Sequence, residues 1–262
     1  MKKFFYYTIC MSIAMLLYSC SNDDNIDDTD DIDNSEYYSL IKDIVEPMNM
    51  PRPDGSYNYP VYPGMNEWAN IKSWEEIEVP EKILKQQSTQ AVIQAIWEYP
   101  LFINFLSRYM YQGDFDVTIG NTNAYKELIL RDDAGKCLLE RFILVEPAIQ
   151  KIDYMPRDLE FILSQDYFLK QLGLNDKITI VKTALEKEKL RDEMEFNPNL
   201  VRELTFILIG RTMVSAGYEP FITETLIDDD LAFFLKGDQV MTYRSYIKTV
   251  ADYAKSFIES HQ

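Results

Sequence analysis

From residue 64 onward, apolar side chains return every three or four positions, the period of helices that bury one face. Pro80 suits a helix start, with Ile83 and Leu84 turned inward. Ser88 or Thr89 opens the next helix, where Val92, Ala95 and Ile96 share a face until Tyr99-Pro100 breaks it. Residues 101–111 place Phe102, Phe105, Leu106 and Tyr109 together and end at Gly113. Asn123 is expected to cap a helix carrying Tyr125, Leu128 and Ile129. Asp132 or Asp133 precedes another with Leu138, Leu139, Phe142 and Ile143, stopped before Pro147. Further helices are predicted at residues 157–172, 175–193, 198–216, 219–227, 229–236 and 242–259. Strand signals are thin. Residues 115–119 alternate between two glycines, and the β-branched run 178–181 flows into Lys182–Glu186 and Lys189–Glu193 pairs that favour helix. The expected fold is all-α, an irregular α-α superhelix or multi-helical bundle without a 34- or 40-residue repeat.

Residues 37–63 interrupt this pattern. Pro47, Pro51, Pro53, Pro60 and Pro63 forbid a continuous helix, and Asp54-Gly55 signals a turn. Tyr57, Tyr59 and Tyr62 punctuate this strap, with Trp68 and Trp74 just beyond it. Such rings either lie across the helical body and are buried, or face a sugar. These five are therefore the candidate ligand-contacting residues.

The N-terminus carries an address. Lys2-Lys3 is followed by a mostly apolar stretch at residues 4–17, shorter than the roughly 20 residues that span a bilayer. Leu17-Tyr18-Ser19-Cys20 matches a lipobox, with Leu at −3 and Ser at −1, although Tyr18 is large for its place. Cys20 is thus the expected acylation site, and outer-membrane attachment through it the expected partner. Residues 21–36 then hold eight acids and no Lys or Arg, a self-repelling block that stays solvated. It lacks the central Gly and terminal Glu of a calcium loop. The predicted organisation is a leader at 1–19, a lipidated acidic tether at 20–36, the strap at 37–63 and a helical domain at 64–262.

Cys20-Ser21-Asn22-Asp23-Asp24 resembles the acidic export signal of surface lipoproteins of the Bacteroidota, which implies display on the outer face of the outer membrane. Within the body, Val61-Tyr62-Pro63-Gly64, Glu67-Trp68, Val79-Pro80-Glu81-Lys82-Ile83-Leu84, Ser88-Thr89 and Glu98-Tyr99-Pro100 resemble a series in helical exported proteins of gut Bacteroidota. Asn123, Glu127-Leu128, Arg131-Asp132 and Phe234-Leu235-Lys236-Gly237 extend it. That resemblance implies a helical body and no particular activity, so no catalytic residue follows from it.

Charge and chemistry narrow the function classes. The formal net charge of −17 becomes −19 when Lys2 and Lys3 leave with the leader, and −11 for residues 37–262 once the eight tail acids are discounted. Phosphate backbones repel such a body, which argues against nucleic acid. With Cys10 in the leader and Cys20 acylated, Cys137 has no intrachain partner. His261 is the one histidine and falls in an expected frayed end, which argues against His-based nucleophilic or zinc chemistry. No P-loop, G-x-G-x-x-G or C-x-x-C occurs. No metal or cofactor is therefore expected. Asp228-Asp229-Asp230 reads as a helix cap and acidic first turn. Trp97 reads as core, while Arg108, Arg131 and Arg141 suit interhelical ion pairs. Three classes stay open: a binding scaffold for a protein or glycan partner, an accessory glycan-binding protein of a nutrient-uptake system, and a carboxylate-dependent hydrolase. An exposed aromatic row would mark glycan binding, and two buried carboxylates across a deep cleft would mark the enzyme.

Overall fold

The computed structural model describes residues 52–62, 65–101, 111–145, 154–193, 202–237 and 244–261. Twelve α-helices and no strand occur among them, so the chain is all-α. Cys20, the acidic tail, residues 37–51 and residues 102–110 of the helix expected at 101–111, Arg108 among them, lie outside the described residues. The helices are α1 (Glu81–Leu84), α2 (Thr89–Trp97), α3 (Tyr111–Val117), α4 (Asn123–Leu128), α5 (Ala134–Leu144) and α6 (Tyr154–Leu163). There follow α7 (Asp166–Lys170), α8 (Leu174–Glu193), α9 (Arg202–Ser215), α10 (Glu219–Ile227), α11 (Asp229–Lys236) and α12 (Arg244–Glu259).

Three helix starts are fixed by side-chain oxygens that accept an otherwise orphaned amide. Ser88 Oγ accepts from Ala91 N at 3.2 Å, Thr122 Oγ1 from Tyr125 N at 3.2 Å, and Asp228 Oδ1 from Leu231 N at 2.9 Å. Thr122, not Asn123, therefore caps α4. Asn123 is the first helical residue, and its side chain donates to Val79 O at 3.2 Å. Asp133 precedes α5 without capping it and accepts the Thr89 hydroxyl at 2.6 Å instead.

The single helix expected at 157–172 is two. Ser164 Oγ and Gln165 Nε2 both donate to Phe161 O, at 2.7 and 3.1 Å, and Gln165 turns extended before α7 begins. Side-chain competition for that carbonyl interrupts the helix. Conversely α3 runs through Gly113, whose φ is unexceptional, so Gly113 is no terminator. Phe115 and Ile119, which looked like alternation in a strand, lie on α3 and on the short 3-10 turn (Ile119–Asn121) that follows it, and both are buried. His261 closes α12 and is not frayed: Nδ1 sits 2.7 Å from Phe257 O and the two rings are 4.7 Å apart.

α9 is the centre. It packs on α6, α7, α8, α10, α11 and α12, and buries Leu204, Phe206, Ile207, Leu208, Ile209 and Met213. An apolar run on every side of a helix marks one surrounded by protein. No described helix is long and apolar enough to cross a membrane. Close approach between α5 and α7 depends on Gly135, where an added Cβ would stand 2.5 Å from Phe168 O.

Gly135→Ala should therefore destabilise the protein by about 1–3 kcal/mol in urea unfolding, the usual cost of overpacking. Gly113→Ala, which meets open space inside a helix, should stabilise by about 0.5–1 kcal/mol. Equal effects at the two glycines would contradict the packing described.

Candidate functional site

The described part of the strap, residues 52–62, is held on the body at three points. Arg52 Nε and Nη2 donate to the Glu98 carboxylate at 2.8 and 2.9 Å, and Nη2 also reaches Tyr57 O at 2.7 Å. Gln87 Nε2 donates to Gly55 O at 2.7 Å, and the Tyr59 hydroxyl donates to Ala95 O at 2.8 Å. Tyr59 is buried, with Tyr57, Tyr62 and Tyr99 edge-on to it at 5.1, 6.1 and 6.1 Å. Edge-to-face packing of this kind suits a core more than a sugar platform. Among the five candidate rings, Tyr59 is thus unavailable to a ligand, Tyr57, Tyr62 and Trp68 are half-buried against the core, and Trp74 alone is open, at 60% exposure. The rings do not form an exposed row.

Beside this cluster, Glu78 accepts the Asn123 amide at 2.9 Å and faces the Tyr99 hydroxyl. Burial raises its pKa above the ordinary carboxylate value, against the opposing pull of the Asn123 hydrogen bond. Burial likewise pushes the Tyr59 and Tyr99 hydroxyls up, with the Glu78 charge adding to both.

A second constellation joins α2 to α5. Gln90, Gln94 and Glu98 recur every fourth residue, which aligns them on one face of α2. Arg141, 3% exposed, donates Nε to Gln90 Oε1 and Nη1 to Gln94 Oε1, both at 2.8 Å, and Nη2 to Gln90 O at 3.2 Å. Gln94 in turn donates to Glu98 at 2.8 Å. The expected interhelical ion pair is absent here, because amide oxygens and not a carboxylate receive the guanidinium. Burial pushes Arg141 down to about 10, still protonated at neutral pH. Arg131 pairs within its own neighbourhood, with Glu127 at 2.7 Å, and donates to Leu84 O and Gln87 O. Trp97 is core, as expected, with Arg141 5.8 Å from its ring centre and its indole N–H lacking an acceptor.

The third constellation holds the carboxylate pair that a hydrolase would require, in α6, α8 and α9. Glu160 and Glu188 are both buried. Arg191 donates to Glu160 Oε1 at 2.9 Å and to Glu188 Oε1 at 2.8 Å, and the Thr205 hydroxyl bridges the same two carboxylates. Arg202 adds a second cation 3.1 Å from Glu188 Oε2. Arg191 and Thr205 occupy the Glu160 carboxyl, and Arg191, Thr205 and Arg202 occupy that of Glu188, so neither is free to approach a leaving group. Among the described residues, the void lined by Ile93, Ile96, Trp97, Leu128, Leu138, Leu159 and Ile162 encloses about 10 Å³, the lower limit for one water and too small for a ligand.

Among the described residues no group of three metal-ligating side chains occurs. Cys137 is free, and burial with Asp133 and Glu140 nearby pushes its thiol up to about 11, the opposite of a reactive thiolate. Asp228 is a cap, as its sequence context implies. The i, i+4, i+8 polar stripe of α2 was available in the sequence as a period. The Glu160–Arg191–Glu188 grouping was not, since it joins residues from separate helices. No known protein family, characterised protein or solved structure matches this chain.

Arg191→Met should cost about 3–5 kcal/mol, because it leaves buried Glu160 without a cation and Glu188 with Arg202 alone; equilibrium denaturation measures it, and a loss under 1 kcal/mol would show the network to be dispensable. At Glu78 the folded-state pKa lies above the unfolded one, so the native state is penalised at neutral pH and gains stability as pH falls through the folded value. Glu78→Gln should therefore match or exceed the wild-type melting temperature at pH 7, with the difference shrinking toward about pH 4.3, the ordinary Glu value. A variant that loses stability at pH 7 and recovers none of it on acidification would contradict the burial argument.

Proposed function

We propose that this chain is a surface-displayed outer-membrane lipoprotein, anchored through acylated Cys20, whose helical body serves as a binding or interaction scaffold. The observation that carries the scaffold half is the direction in which the polar chemistry points. Arg141 is spent on Gln90 and Gln94, and Glu160, Glu188, Arg191 and Thr205 on one another, inside the fold. Large apolar side chains such as Leu130, Leu226 and Ile227 stand 73–76% exposed. Contact surface of that kind suits recognition of another macromolecule. The anchoring half rests on Leu17-Tyr18-Ser19-Cys20 and the eight acids that follow, together with their resemblance to surface lipoproteins of the Bacteroidota.

A second reading, accessory glycan binding, is favoured by one observation: the Trp74 ring is open to solvent between Ser73 and the exposed acids Glu75 and Glu76. A sugar face on that indole with hydroxyls on the neighbouring carboxylates is chemically sound, but a single ring gives little area. The hydrolase reading would need Glu160 or Glu188 released from Arg191.

Cys20→Ala should abolish incorporation of a palmitate analogue and remove the protein from the membrane fraction. Several acyl chains together anchor firmly, so their loss is unambiguous. Undiminished labelling would overturn the anchor. Protease shaving of intact cells reads the side on which the body is displayed, and a glycan array separates the two binding readings.

A further inference from the structure

The corner where α10 turns into α11 combines an exposed aliphatic pair with a run of acids. Leu226 and Ile227 are adjacent at the end of α10 and 76% and 74% exposed, more than any other large apolar side chains described. From residue 212 to residue 235 the chain has five acids (Glu219, Glu224, Asp228, Asp229 and Asp230) and no Lys, Arg or His. Two of these acids have internal work. Asp228 caps α11 and receives the Tyr246 hydroxyl at 3.4 Å, and Glu224 accepts from the Tyr253 hydroxyl at 2.9 Å. Asp229 and Asp230 are exposed and have no side-chain partner among the described residues. The lysines of α12 do not neutralise them: Lys248 and Lys255 both pair with Asp252, at 2.6 and 3.6 Å.

The first-turn position of Asp229 and Asp230 complements the α11 dipole, which accounts for the acids. It does not account for two large aliphatic side chains held in water beside them. An apolar patch rimmed by unpaired charge of one sign is complementary to a surface with the same apolar centre and the opposite rim. We propose that this corner docks a cationic amphipathic segment of another protein, with Leu226 and Ile227 as its apolar contacts and Asp229 and Asp230 pairing its lysines or arginines. This rests on the scaffold reading and assigns that scaffold a place and a partner chemistry.

The test uses the full chain in phosphatidylcholine nanodiscs and a fluorescent, photo-crosslinkable helical peptide of leucine and lysine, leucines along one face, with empty nanodiscs subtracted. The peptide should crosslink within residues 226–230, and binding should weaken with added salt. Leu226→Ser combined with Ile227→Ser should weaken binding at least tenfold. Asp229→Asn with Asp230→Asn should weaken it several-fold and flatten the salt dependence, while Leu130→Ser, equally exposed elsewhere, should change nothing. Because all these side chains face solvent, unchanged circular dichroism and melting temperatures establish that the variants fold. Binding by the Leu226/Ile227 double variant within twofold of wild type, or crosslinks confined to other residues, would overturn the proposal. A cellular pull-down that recovers a partner bound elsewhere would do so too while sparing the scaffold reading. Docking at the corner with no partner recovered from cells would support the corner and count against the scaffold.

Discussion

Arg191 sits between two buried carboxylates at the point where α6, α8 and α9 meet, and much of the packing around α9 depends on that charge balance. Removing a charged side chain from water costs several kcal/mol unless partners replace the lost hydration. Here each group supplies another's hydration: Glu160 and Glu188 flank the guanidinium, Thr205 spans both acids, and Arg202 covers the outer oxygen of Glu188. The arrangement fixes the relative rotation of three helices more tightly than aliphatic contacts would. Leucines and isoleucines tolerate sliding by a fraction of a turn, whereas a guanidinium between two carboxylates does not. Arg141, held by two glutamines of α2, does the same for α5 with neutral acceptors.

Fold class was legible because it depends on local periodicity, which α2, α5 and α12 express clearly. The misreadings share a cause. Gly113 and the gap at Ser164-Gln165 were judged by residue type, yet a glycine inside a helix is tolerated when its neighbours pack, and a serine–glutamine pair ends a helix when both capture one carbonyl. Thr122 was passed over for Asn123 because both are cap residues and only the backbone geometry separates them. At the strap the sequence identified the right rings and left their direction open. Direction is a tertiary property: Tyr59 points inward because Ala95 O, at the tightly packed end of α2, offers its hydroxyl an acceptor. The carboxylate pair was illegible for the same reason, since residues 28 positions apart meet only after the helices assemble.

The body therefore commits its buried ionisable groups to cohesion and leaves several large aliphatic side chains among the charges outside. That division fits a protein whose work is contact, and it explains why individual acids in so acidic a chain point to no chemistry. Abundant surface carboxylate keeps the molecule soluble and separated from its neighbours, while the few interior charges act as locating pins.

The clamp at Arg52 has a mechanical meaning. Under the proposed anchoring, thirty-two peptide units separate Cys20 from Arg52, the first of the described side chains tied to the body. A chain of that length reaches about 110 Å at full extension and about 30 Å as a flexible coil. Of the described contacts, the Arg52–Glu98 pair and the Tyr59 hydroxyl would receive a pull on such an anchor first, and they engage neighbouring points on α2 and its C-terminal end. Load entering at α2 passes to α5 through Arg141 before it reaches α9. On the proposed anchor the strap would be in that sense a strain relief, taking at α2 the load that a tugged leash would otherwise put on the helices one by one.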